Sequence, residues 1–207
     1  MELYQLEHAL RAAKDITGEQ EFIVIGASSI FASVLHPSPV LTATQETDLY
    51  PRLHPEKAVQ LNCIGEMSPF HSTHGFYVDA VGPETAKLPV GWENRLIAVS
   101  NENTNHAIGW CLEVHDLAVS KLIAGREKDC SFVEELFRCK LISFETVRER
   151  LPTVKELTPE FRAVVQERLE NVHHRGNVEE VLKQIRTPRP SKGKQSKKSR
   201  GLEIGDD

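Results

Sequence analysis

The 207-residue sequence predicts an α/β (α+β) fold, a small mixed sheet with flanking helices followed by a C-terminal helical half. Three observations carry that prediction. Short apolar runs such as Phe22 to Ile25 and Leu96 to Val99 are bounded by turn-forming residues, as strands are. The first run is followed at once by Gly26 and a stretch of small and apolar residues, which reads as a strand feeding a helix. Beyond residue 113 the pattern changes to capping residues followed by apolar residues at helical spacing.

The elements follow in order. Leu3, Leu6, Leu10 and Ala13 recur at helical spacing, so residues 2–15 form an amphipathic helix that Gly18 ends. Phe22 to Ile25 is a short buried strand and Ala27 to Leu35 a helix. Pro37 and Pro39 then break the chain before a second strand at Glu46 to Leu49. Lys57 to Cys63 reads as another short helix and Gly75 to Val81 as a third strand. Strands at Leu96 to Val99 and Trp110 to Glu113 pair around the polar turn Asn101 to Asn105. In the helical half, Asp116 is expected to cap a helix reaching Ala124. Asp129 or Ser131 starts another through Phe137, and Ser143 caps Phe144 to Arg150. Thr158-Pro159-Glu160 opens a helix to about His173, and Asn177 starts a last one to about Ile185. The chain thus divides into an α/β core at 1–113, a helical half at 114–186 and a tail at 187–207.

Composition narrows the class. A hydrophobic content of 40% suffices for a real core. No apolar run approaches the roughly 20 residues that cross a bilayer, and the N-terminus lacks the basic start and apolar centre of a signal peptide. We therefore expect a cytoplasmic protein with no membrane partner. Cys63, Cys111, Cys130 and Cys139 show no C-x-x-C pairing, which indicates reduced thiols, mostly packing, rather than zinc or disulfides. The histidine pairs His71/His74 and His173/His174 lack companion ligands and read as surface or loop imidazoles, while Trp92 and Trp110 read as core anchors. Residues 1–186 carry 27 acidic and 19 basic side chains, whereas Thr187 to Arg200 carries six basic and no acidic ones. That composition makes a disordered basic tail, serving either solubility or contact with RNA or DNA phosphates.

The chemistry centres on Ile23 to Ser29 and Thr44 to Leu49. Glu46 and Asp48 are two residues apart, so in a strand both carboxylates leave one face while Thr47 points the other way. Two hard oxygen donors side by side suit Mg²⁺, whose octahedron substrate phosphates and water complete. Gly26 allows a tight turn and lets a phosphate approach the first amides after it, at Ala27 and Ser28. Asp79 would come from a neighbouring strand as a third carboxylate; alone it reads equally well as a strand-end residue. If Lys121 and Lys128 share one helical run, they stand two turns apart on one face, and with Arg126 could hold a triphosphate. The alternative is a solvated helix face on which Arg126 pairs with Asp129 at i,i+3.

Strand-Gly-small-small-helix followed by Thr44-Gln45-Glu46-Thr47-Asp48-Leu49 resembles the core of the polymerase-β-type nucleotidyltransferases. Phe76 to Ala86, Leu88 to Leu96 and His115 to Asp129 are similar to an uncharacterised bacterial branch of that superfamily related to the AbiEii-type abortive-infection toxins. The resemblance covers roughly residues 20–150, and His115 to Asp129 is its most specific part. Two positions depart from the usual pattern: Gly26-Ala27 replaces Gly-Ser or Gly-Gly, and Glu46 replaces the first Asp of Asp-x-Asp.

The resemblance implies a sheet of nucleotidyltransferase type and Mg²⁺-dependent transfer of a nucleoside monophosphate from an NTP to RNA, protein or a small molecule. Glu46, Asp48 and Asp79 would be the catalytic and metal residues; Gly26, Ala27, Ser28, Lys121 and Arg126 would bind nucleotide. Such a transferase would be the toxin-like member of a defence module, with an antitoxin-like protein as partner. Two other classes stay open: a degenerate relative that binds nucleotide or RNA without turnover, and a protein-binding partner in a two-gene defence or toxin module with the helical half as its interface. The classes differ in whether Glu46, Asp48 and Asp79 converge closely enough to share a metal, facing a cleft that Lys121 and Arg126 line.

Overall fold

Five strands form one mixed sheet in the order β3-β2-β1-β5-β4. The computed structural model describes residues 1–155 and 157–186. Helix α1 (Leu3–Thr17) leads into β1 (Glu21–Val24), the central strand. Strand β1 pairs antiparallel with β2 (Glu46–Pro51) and parallel with β5 (Ile108–Cys111). Strand β3 (Tyr77–Ala80) adds parallel to β2, and β4 (Ile97–Val99) adds antiparallel to β5. A short helix α2 (Pro69–His74) precedes β3.

The alternation in β1 explains the layering. Phe22 and Val24 bury with Leu6, Leu10 and Ala13 of α1, whereas Ile23 and Ile25 bury with Leu117, Val119 and Phe132 of the helical half. That half comprises α3 (Val114–Ala124), α4 (Glu127–Arg138), α5 (Phe144–Arg150) and α6 (Pro159–Arg186). The sheet is thus a filling between α1 and the C-terminal helices, which accounts for an α/β half followed by a helical one.

Several local expectations change. The stretch after Gly26 is a 3₁₀ helix at Ala27–Ala32, shorter than the helix expected to Leu35. Ser29 Oγ donates back to the Val24 carbonyl at 2.8 Å, tying the turn to the strand it leaves. Pro55–Ile64 is likewise 3₁₀. Asp116 does not cap α3: Glu113 does, its carboxylate accepting from the His115 N–H. Asp116 is instead fully buried, accepting from Arg95 Nε and Nη2 at 2.7 and 3.1 Å and from Arg150 Nη1 at 2.9 Å. The residue at the start of α4 is Arg126.

The last two expected helices are one, Pro159–Arg186. Gly176 does not break it, because a Cβ there would lie 3.0 Å from the Glu134 carbonyl; glycine lets α6 lie close on α4. Trp92 and Trp110 are half-buried. Trp110 donates Nε1–H to Glu21 at 2.7 Å beneath the Arg52 guanidinium, so it is a surface-side anchor. Of the four cysteines only Cys111 is buried, and burial pushes its thiol up to about 12. His71 and His74 lie in α2, with His74 edge-on to His8 and tilted against Phe70. Among the described residues no helix is long and apolar enough to cross a membrane. The expected basic tail at 187–207 lies outside the described residues.

Candidate active site

The site grows out of the pleat of β2. Thr47 and Leu49 are buried, Leu49 in the α1-side core, which leaves Glu46 and Asp48 on the opposite face, toward α3 and α4. Because β3 runs parallel to β2 with Asp79 in register with Asp48, the third carboxylate stands beside the second. The turn after β1 closes over them. A Cβ built on Gly26 would lie 1.6 Å from Asp48 Oδ2, so the space of the missing side chain is filled by the Asp48 carboxylate.

Across from the acids stand cations from the helical half, and together they line a cavity of about 390 Å³ that includes Gly26, Ala27, Glu46, Asp48, Asp79, Lys121, Arg126 and Lys128. Lys121 and Lys128 do not share a helix: α3 ends at Ala124, capped by Gly125, and α4 begins at Glu127. The break turns the chain so that both sides of it face the cavity. Lys121 Nζ donates to Asp129 Oδ1 at 3.1 Å and lies 4.5 Å over the Phe132 ring. Arg126 grips the same carboxylate through Nε at 2.6 Å and Nη2 at 3.3 Å, yet remains mostly exposed. Lys128 Nζ reaches Glu46 Oε1 at 3.4 Å, and the Tyr77 hydroxyl donates to Glu46 Oε2 at 3.2 Å.

The electrostatics follow from crowding. Burial, then the charges of Glu46 and Asp79, push Asp48 up to about 6, with Lys121 opposing them. Burial and then Glu46 and Glu66 also raise Asp79. Asp129 goes the other way: burial raises it, but the hydrogen bonds and charges of Arg126 and Lys121 outweigh burial and hold it below the usual carboxylate range. The hydrogen bond to Asp129 in turn raises Arg126.

Like-charged carboxylates kept side by side in a half-buried cavity form a donor set for a hard cation. Among the described residues no three acidic, histidine or cysteine side chains stand close enough to hold a metal ion between them, so Glu46, Asp48 and Asp79 do not form the expected three-carboxylate set. A cation there would take at most two carboxylates and complete its shell with water and phosphate oxygens.

Of the sequence-predicted residues, Glu46, Asp48, Asp79, Gly26, Ala27, Lys121 and Arg126 line the one cavity. Ser28 does not: it is buried under the turn, and its hydroxyl has no protein partner. Asp129 is the residue that sequence reasoning placed at a helix start or in a surface ion pair with Arg126. Its fully buried carboxylate holds both phosphate candidates in place. The i,i+3 spacing to Arg126 was the available signal; the eight-residue reach to Lys121 depends on the helix break.

The Gly26 turn packs on Asp48, Asp79 stands in register beside it, and cations face both across the cavity. The chain belongs to the DUF6036 family, described as a nucleotidyltransferase of unknown function, which it matches over residues 1–182. No curated protein and no solved structure matches the chain.

Proposed function

We propose that this protein is an Mg²⁺-dependent nucleotidyltransferase that moves a nucleoside monophosphate from an NTP to a hydroxyl acceptor on RNA, protein or a small molecule. The observation that carries the reading is the Gly26–Asp48 contact, a carboxylate of raised pKa tucked under the turn in the cavity that Lys121 and Arg126 line.

In this reading the triphosphate lies along Lys121 and Arg126, a compact ammonium and a planar fork, both pinned by Asp129. The pinning leaves the trio with one net positive charge and spares the ligand the entropy of ordering two long side chains. The Gly26 turn admits the Asp48 carboxylate close to the backbone, beside the phosphates. The acceptor oxygen forms a bond to the α-phosphorus as the bond from that phosphorus to the bridging oxygen breaks, and pyrophosphate leaves. Asp79, with its raised pKa, takes the acceptor's proton. Mg²⁺, held by Asp48 and a neighbouring carboxylate, would supply Lewis-acid polarisation of the phosphate and offset the repulsion between acids and triphosphate. On the AbiEii-type resemblance of His115 to Asp129, the same activity would serve as the toxin of a defence pair with an antitoxin-like protein as partner.

A second reading, nucleotide binding without turnover, draws on Glu46, whose two oxygens are engaged by Lys128 and Tyr77. The experiment separating the two uses each NTP labelled at the α or the γ position, with Mg²⁺ and fractions of cellular RNA, protein and small molecules. Nucleotidyl transfer moves the α label to one fraction and releases the γ label as pyrophosphate; Asp48→Asn stops both. Binding of NTP with no transfer in any fraction establishes the second reading.

A further inference from the structure

Lys128 differs from the other cations of the cavity. Lys121 and Arg126 are tied to the buried carboxylate of Asp129, whereas Lys128 leans from the first turn of α4 across the cavity mouth to Glu46, with its side chain 63% exposed. An exposed lysine–carboxylate pair at 3.4 Å on a flexible stem contributes little stability, so it exchanges readily. Lys128 and Glu46 also line both the main cavity and a shallower one of about 570 Å³ beside it, so their contact lies between the two. Glu46, meanwhile, has one oxygen on Lys128 and the other on the Tyr77 hydroxyl, and must release the first to face a cation with Asp48.

We propose that Lys128 is a phosphate-binding residue of the donor site that the unliganded protein stores on Glu46, so that metal and nucleotide binding are coupled. The inference rests on the nucleotidyltransferase reading above. Without nucleotide, the Lys128 ammonium competes with a divalent cation for Glu46. When Glu46 turns to the metal, the freed ammonium lies at the wall of the cavity where the triphosphate is expected, and adds a third cation beside Lys121 and Arg126. By linkage, a nucleotide that captures Lys128 raises the affinity of Glu46 for metal by the same factor.

The test uses the full-length protein and measures Mn²⁺ binding by electron paramagnetic resonance, alone and with a non-hydrolysable NTP, for wild type, Lys128→Gln, Glu46→Gln, the double variant and Asp48→Asn. Lys128→Gln should tighten Mn²⁺ binding in the absence of nucleotide by about two- to fivefold while weakening nucleotide binding by about tenfold. These opposite signs cannot come from a folding defect, which weakens both. In the Glu46→Gln background, Lys128→Gln should leave Mn²⁺ affinity unchanged. Equal or weaker Mn²⁺ binding by Lys128→Gln, or unaltered nucleotide affinity, overturns the inference. If Asp48→Asn abolishes Mn²⁺ binding all the same, the nucleotidyltransferase site stands and only the role of Lys128 falls. If wild type binds no Mn²⁺ with or without nucleotide, both fall together.

Discussion

Replacing Asp48 by Asn should make the metal-free protein more stable, because the site holds its central carboxylate in an environment that disfavours the charge. The folded-state pKa is pushed to about 6 against an ordinary value of 3.8, first by burial and then by Glu46 and Asp79. At about 1.36 kcal/mol per unit, the ionised group costs at most about 3 kcal/mol at neutral pH. The sign is set by the raised pKa: stability from the protonated form is fully present below 3.8 and lost as pH rises through about 6. The Asn amide must still find hydrogen bonds, so we expect a gain of about 1–2 kcal/mol. For a chain of this size that is a rise in Tm of about 2–8 °C. The assay is thermal unfolding in EDTA at pH 8 and at pH 4, with and without Mg²⁺. The gain should be present at pH 8, nearly gone at pH 4, and reversed in favour of wild type by Mg²⁺. A variant no more stable than wild type at pH 8, or stabilised equally at both pH values, would refute the reasoning.

Other predictions follow from the same geometry. Gly26→Ala should keep the fold, since the backbone there has φ of −91° and the clash is with a side-chain end, but should displace the Asp48 carboxylate and weaken Mn²⁺ binding, measured by titration. Arg126→Ala should weaken NTP binding by about 1–3 kcal/mol with little change in Tm, because the side chain is mostly exposed. Lys121→Ala should weaken NTP binding similarly by calorimetry and also lower Tm, since it lifts an ammonium off Phe132 and half-strips the buried Asp129. Arg150→Ala should destabilise by about 2–4 kcal/mol in urea unfolding, because it leaves Glu113 and the fully buried Asp116 short of a partner. Metal affinity should fall as pH drops below about 6, when Asp48 takes up its proton.

What was legible in the sequence was what periodicity and spacing control. The two-residue step from Glu46 to Asp48 fixed their common face, and the continuous apolar run Phe22 to Ile25 located the buried strand β1. Helix α1 and the caps at Gly18 and Ser143 were likewise readable from local signals. What was hidden depends on tertiary partners. Asp116 looks like a helix cap until Arg95 and Arg150, 21 residues before it and 34 after it, arrive at its carboxylate. Asn177 looks like the start of a new helix until α6 proves continuous, with Gly176 lying close on α4. The register that sets Asp79 beside Asp48 is a property of the β2–β3 pairing, and no spacing within either segment announces it. Lys121 and Lys128 illustrate a false period: seven residues suggest one helical face, but the break between α3 and α4 gives the two lysines different carboxylates, Asp129 and Glu46.

The central claim, that the acids of β2 and β3 and the cations of α3 and α4 form one metal–nucleotide site, is tested most directly by a crystal structure with Mn²⁺ and a non-hydrolysable NTP, recorded at the manganese absorption edge. The account predicts an anomalous peak on Asp48 and a neighbouring carboxylate beneath the Gly26 turn, with the triphosphate on Lys121 and Arg126. Nucleotide bound elsewhere, or manganese absent from Asp48 with the NTP in place, would contradict it.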